Sequence, residues 1–185
     1  MNTPNPKPNR RNFWLAIFII ALPFVWFIPG AIYMNVITKS QNASCQSAMK
    51  SLGYALLSYA EDNNGQLPNA KNWIAVAAQR TGEKPICNVD TDKAHSSSYA
   101  MNANLSGKKL SEIKDPSHTI LLYETTSKAS TPFGTGTDLV RVGKDNVGVG
   151  RHHTIGYRFN YYLMADGKVR APKNLDEVKT YKWTP

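Results

Sequence analysis

The sequence predicts an α+β protein in which a long N-terminal helix packs on a C-terminal antiparallel β-sheet. Three observations carry that expectation. An apolar run over residues 13–34 passes into residues 38–62, where apolar side chains recur at helical spacing. Strand-type segments follow only after Cys87, at 98–102, 119–124 and 156–165. Helices first and strands later is the order of a fold whose helices gather on one side of an antiparallel sheet.

The run over 13–34 holds no charged residue and follows Lys7, Arg10 and Arg11. At about 1.5 Å per residue it reaches about 33 Å, enough for a hydrocarbon core of about 30 Å. The expected organisation is a cytoplasmic tail at 1–12, a transmembrane helix at 13–37 and an extracytoplasmic domain at 38–185. Basic residues before a first span stay on the cytoplasmic side, so the expectation is a single-pass protein with its N-terminus inside. A cleaved signal peptide is the rival reading. Its apolar core is normally about 7–15 residues with small residues at the cut, and neither feature fits this run. Pro23 and Pro29 predict a kink in the helix rather than its end.

In 38–62, Cys45, Met49, Leu52, Leu56 and Tyr59 form one stripe, which Ala48 and Ala55 widen. Lys50, Ser51, Ser58, Glu61 and Asp62 face elsewhere. Asn63-Asn64-Gly65 closes the helix, with Gly65 as a left-handed cap and Pro68 behind it. Residues 72–80 read as a short helix with Trp73, Ile74 and Ala77 inward. Residues 88–98 are loop-like, 98–102 a short strand, and 119–124 a buried strand after the turn at 115–117. A further strand is expected over 138–142. Asp166-Gly167 is a tight turn, which makes 168–170 the hairpin partner of 156–165. Alternation along that strand places Tyr157, Phe159 and Tyr161 on one face and Tyr162 on the other.

Cys45 and Cys87 stand 42 positions apart, which makes no metal motif. Both lie on the expected outer side, where disulfides persist, so a Cys45–Cys87 disulfide is expected, with two free thiols as the alternative.

Three stretches together resemble bacterial type IV pilin-like proteins and type II secretion pseudopilins. They are the apolar helix running into an amphipathic one, the segment from Cys45 to Pro68, and the segments at 98–102 and 113–124. The last two are similar to a prepilin-type subgroup that ends in a His, nine residues and Asp-Gly. Here twelve residues separate His153 from Asp166-Gly167, a motif whose role is unknown. The resemblance implies a pilin-like fold and a place in a cell-surface or secretion-type assembly. It also implies that calcium could bind a C-terminal loop, with Asp138, Asp145 and Asp166 as hard oxygen donors. The usual prepilin cleavage motif is missing. With Phe13 aligned as the first mature residue, Asn12 stands where the family has Gly and Ile17 where it has Glu.

Reaction chemistry is sparse. The four histidines, His95, His118, His152 and His153, include no i, i+4 metal pair. His153 with Asp166 is readable as a base with its orienting carboxylate, or as a packed histidine beside a hairpin turn. No G-x-S-x-G elbow and no nucleotide-binding loop is present. The expectation is therefore a non-enzyme without cofactor or small-molecule substrate. Of 22 basic and 13 acidic residues, only three, all basic, precede the apolar run, which leaves +6 on residues 38–185. That surplus keeps a second function class open, an anchored binding module for an extracellular polyanion such as DNA or an acidic polysaccharide.

Overall fold

The computed structural model describes residues 10–92, 96–137, 150–154 and 157–185, without the side chains of 11–13, 16, 20–31 and 175. Two compact units divide the chain at Lys39 and Ser40. Helix α1 is Arg10–Asp62, and its residues contribute to both.

In the first unit, the apolar side chains described in α1 fall at 14, 15, 17–19, 32–34, 36 and 37, with Asn35 within the second group and Thr38 and Lys39 after it. Among the described residues no helix is long and apolar enough to cross a membrane. This corrects the expected transmembrane helix at 13–37. With it fall the signal-anchor reading and the single-pass placement that set the N-terminus inside and 38–185 outside. A span needs about 20 consecutive apolar residues, a condition that no helix meets among the described residues.

In the second unit, α1 ends where Asn63-Asn64-Gly65 turns the chain. Gly65 has φ +80°, and its N–H bonds the Ala60 carbonyl at 2.7 Å. Helix α2, Trp73–Thr81, buries Trp73 and Ala77 and stops at Gly82, φ +70°. Strand β1 is Tyr99–Asn102, β2 Ile120–Glu124 and β3 Phe133–Gly134. Strands β4, His152–Thr154, and β5, Tyr157–Phe159, pair antiparallel as a separate two-stranded sheet. Strands β6, Tyr162–Met164, and β7, Val169–Arg170, form a hairpin through Asp166-Gly167, where Gly167 has φ +81°. Helix α3 is Leu175–Lys179, capped by Asn174, whose side chain accepts from the Glu177 N–H at 2.8 Å.

The main sheet has the order β3-β1-β2-β6-β7. All its pairs are antiparallel except β1–β3, which is parallel. The α+β class thus holds, with a sheet that is dominantly rather than purely antiparallel. The expected strand over 156–165 is two strands in two sheets, and 138–142 lies outside the described residues.

One face of the sheet is covered by α1. Cys45, Met49, Leu52, Ala55 and Leu56 share a core with Tyr99, Met101, Leu122 and Leu163. The approach is close at Gly53, where a Cβ would meet a Leu163 methyl at 2.7 Å. The other face carries Ala100, Ile120, Tyr123, Tyr162 and Met164, covered by Tyr181, Val178 and Trp183. A register shift in the β2–β6 pairing lies between Ile120 and Leu122. It turns Leu121 and Leu122 both toward the helix side, after which alternation resumes. Tyr123 then faces away from α1 and Glu124 toward it.

Candidate functional site

The shift in β2 has a chemical consequence, because it sends a carboxylate into the core between α1 and the sheet. Glu124 is fully buried, as is His152 on β4. His152 Nε2 lies 2.7 Å from Glu124 Oε1, and the other carboxylate oxygen accepts the Tyr161 N–H at 3.0 Å. The ring packs against Tyr161 and Phe159, with centroids at 4.6 and 5.6 Å. From α1, the Asn42 amide donates through Nδ2 to the His153 carbonyl at 2.9 Å, which turns its Oδ1 to His152 Nδ1 at 3.0 Å. Both ring nitrogens of His152 therefore face oxygen atoms.

Arg151, one residue earlier, completes the cluster. Its Nη2 pairs with Asp90 Oδ2 at 2.8 Å and donates to the Thr125 carbonyl at 2.9 Å. Its Nη1 donates to the Ser98 carbonyl at 2.9 Å and lies 3.7 Å from Glu124 Oε1. Ser98 Oγ–H donates to Asp90 Oδ2 at 2.7 Å and accepts the Cys87 N–H at 2.9 Å. The Arg151–Asp90 pair sums to zero charge. The His152–Glu124 pair is joined by its 2.7 Å hydrogen bond. A paired, fully bonded cluster is the form in which charges are tolerated in a core. The phenols beside it report the poor solvation. Burial, reinforced by the Glu124 charge, pushes Tyr99 far above its ordinary value and Tyr161 up to about 12.

Cys45 and Cys87 form a disulfide with Cα atoms 5.0 Å apart, and it lies against this cluster. Cys87 Sγ is 3.8 Å from His152 Nε2, and the Cys45 carbonyl accepts the Tyr99 hydroxyl at 3.2 Å. The bond ties α1 to the segment after α2.

The Asp166-Gly167 turn forms as expected, with His153 in a different sheet. His153 is exposed on β4, while half-buried Asp166 sits in the β6–β7 turn of the other sheet, bonded to the backbone and side chain of Lys168. Gly167 supplies the turn's positive φ. Two-residue alternation sends His152 inward and His153 outward, so the buried histidine is the neighbour of the one the motif singled out. His118 is exposed, with Nδ1 3.0 Å from Asp115 Oδ1. The Lys182 ammonium, then His118 and Ser117, hold the Asp115 carboxyl well below the usual carboxylate range. Of the proposed calcium donors, Asp138 and Asp145 lie outside the described residues, as does His95.

Sequence reasoning missed Asp90, Arg151, His152 and Glu124 as a group. The available signal was a Glu closing a buried apolar strand, opposite an Arg-His pair. No family model, curated protein or solved structure matches the chain.

Proposed function

We propose that this chain is a non-enzymatic subunit of a pilin-like macromolecular assembly, and that it packs against other copies through the helix of its first unit. The observation that carries the reading is the exposure of large apolar side chains there. Trp14 is 63% exposed, Phe18 and Ile19 69% each, and Tyr33 65%. Leu15, Ile17, Ile32, Met34 and Val36 are exposed as well. At 100° per residue, positions 17, 18 and 19 point to three sides of a helix. A single flat partner surface covers one side, whereas a bundle of like helices covers all of them. A large exposed apolar patch marks an association surface.

The second unit supports a structural role. Its acid–base pair, His152 and Glu124, is sealed from solvent and fully partnered, so it offers a substrate no approach. The +6 surplus on residues 38–185 is compatible with a polyanion.

Sedimentation of the full chain tests this. The expected result is a species larger than a dimer that Phe18→Glu with Ile32→Glu shifts toward monomer without changing the fold of the second unit by circular dichroism. A chain that stays monomeric at high concentration, or that is recovered by crosslinking only with nucleic acid or acidic polysaccharide, overturns it.

A further inference from the structure

Cys45, Cys87 and His152 are all buried, and one donor atom of each lies within 4.8 Å of the other two. Three features of this group go beyond what a cross-link requires. The first is distance. With Zn–S near 2.3 Å and Zn–N near 2.0–2.1 Å, the S···N edge of a tetrahedral site is about 3.6 Å. Cys87 Sγ and His152 Nε2 are already 3.8 Å apart. The second is the ring's orientation. Metal-bound histidines donate their other N–H to a fixed acceptor, which sets the tautomer. Asn42 Oδ1 is that acceptor for Nδ1, and Asn42 is itself pinned by its bond to the His153 carbonyl. Nε2 is thereby left on the side of Glu124 Oε1 and Cys87 Sγ. The third is a further donor, since Glu124 Oε1 lies 2.7 Å from the same Nε2.

We propose that reduction of the disulfide converts this cluster into a binding site for one zinc-type divalent cation, with Cys45, Cys87 and His152 as ligands and Glu124 as the fourth. Two external thiols supply the two electrons and two protons. The Cys45–Cys87 bond breaks, the external thiols leave joined as a disulfide, and both cysteines become thiols. Cation binding then displaces the two thiol protons and the proton held between Nε2 of His152 and Oε1 of Glu124, leaving Nε2 a neutral donor and Glu124 a carboxylate. The oxidised chain has no thiolate to offer, so occupancy follows redox state. The inference is independent of the assembly reading.

The test uses the full chain, reduced with dithiothreitol, desalted without oxygen and titrated with Co²⁺. Thiolate charge-transfer absorption and the intense visible bands of tetrahedral cobalt should appear, saturate at one ion per chain and vanish on adding Zn²⁺. The oxidised chain should give neither. His152→Gln should abolish the tetrahedral bands. Asn42→Ala, which removes the ring's support but none of the ligands, should weaken binding about 10–100-fold. A reduced chain that is folded but silent to Co²⁺, or that has lost its fold, overturns the proposal. So do unchanged bands in folded His152→Gln. If that variant does not fold, unchanged affinity in Asn42→Ala overturns it.

Discussion

Glu124 is the residue on which the buried charges converge. It holds His152 by one oxygen and the Tyr161 amide by the other, with the Arg151 guanidinium alongside. Removing one member of such a cluster costs more than the cluster itself contributes, because its partners stay buried without their counter-charge. Glu124→Ala should therefore destabilise the chain by about 3–5 kcal/mol in urea unfolding. The contrast is Asp62, whose pair with Arg80 at 2.7 Å is just as short but sits at the surface. Asp62→Ala should cost less than about 1 kcal/mol, since water solvates both charges once they part. Equal losses in the two variants would mean that burial does not set the difference.

At the scale of elements, the fit of α1 to the sheet turns on Gly53. No Cβ separates the helix backbone from Leu163 there, and any Cβ would fall within 3 Å of a buried Leu methyl. Gly53→Val should cost about 1–3 kcal/mol from overpacking, seen as a lower thermal midpoint. In an open helix, by contrast, replacing a glycine is normally favourable or neutral. The face that makes this contact was legible in the sequence, because one-sided apolar spacing at helical period needs no tertiary information. Cys45, Met49, Leu52 and Leu56 of the stripe are buried, and Tyr59 at its end is half-buried. The strands were legible as strands but not in their facing. Residues 120–123 are apolar on both sides, so the register shift that turns Glu124 toward α1 leaves no trace in the pattern. Residues 157–164 have strand propensity throughout, yet the chain changes sheets near Asn160, whose side chain accepts the Arg151 N–H at 3.0 Å. The cluster was less legible still. It joins positions as far apart as Asn42 and His152, and only the assembled sheet brings them within 3.0 Å.

At the scale of the whole molecule, the disulfide bears on the unfolded chain as much as on the folded one. Cys45 and Cys87 are 42 positions apart, so the bond closes a long loop in the second unit. A loop of that length carries a closure entropy worth about 4 kcal/mol at 25 °C. The folded unit has other ties between the same elements. Tyr99 bonds the Cys45 carbonyl, Asn42 bonds β4, and α1 packs along the sheet face. Opening the bond should therefore leave the native packing in place and act mainly by freeing the unfolded ensemble. Two quantities distinguish that from a loss of native contacts. The denaturation midpoint of the reduced chain, measured without metal ions, should fall. The slope of stability against denaturant should rise, because an unfolded chain without the cross-link exposes more surface. Trp73, fully buried with its indole N–H bonded to the Pro132 carbonyl at 2.7 Å, supplies a fluorescence signal for both measurements. A lower midpoint at unchanged or smaller slope would place the effect in the folded state and would show that the disulfide holds α1 against the sheet by itself.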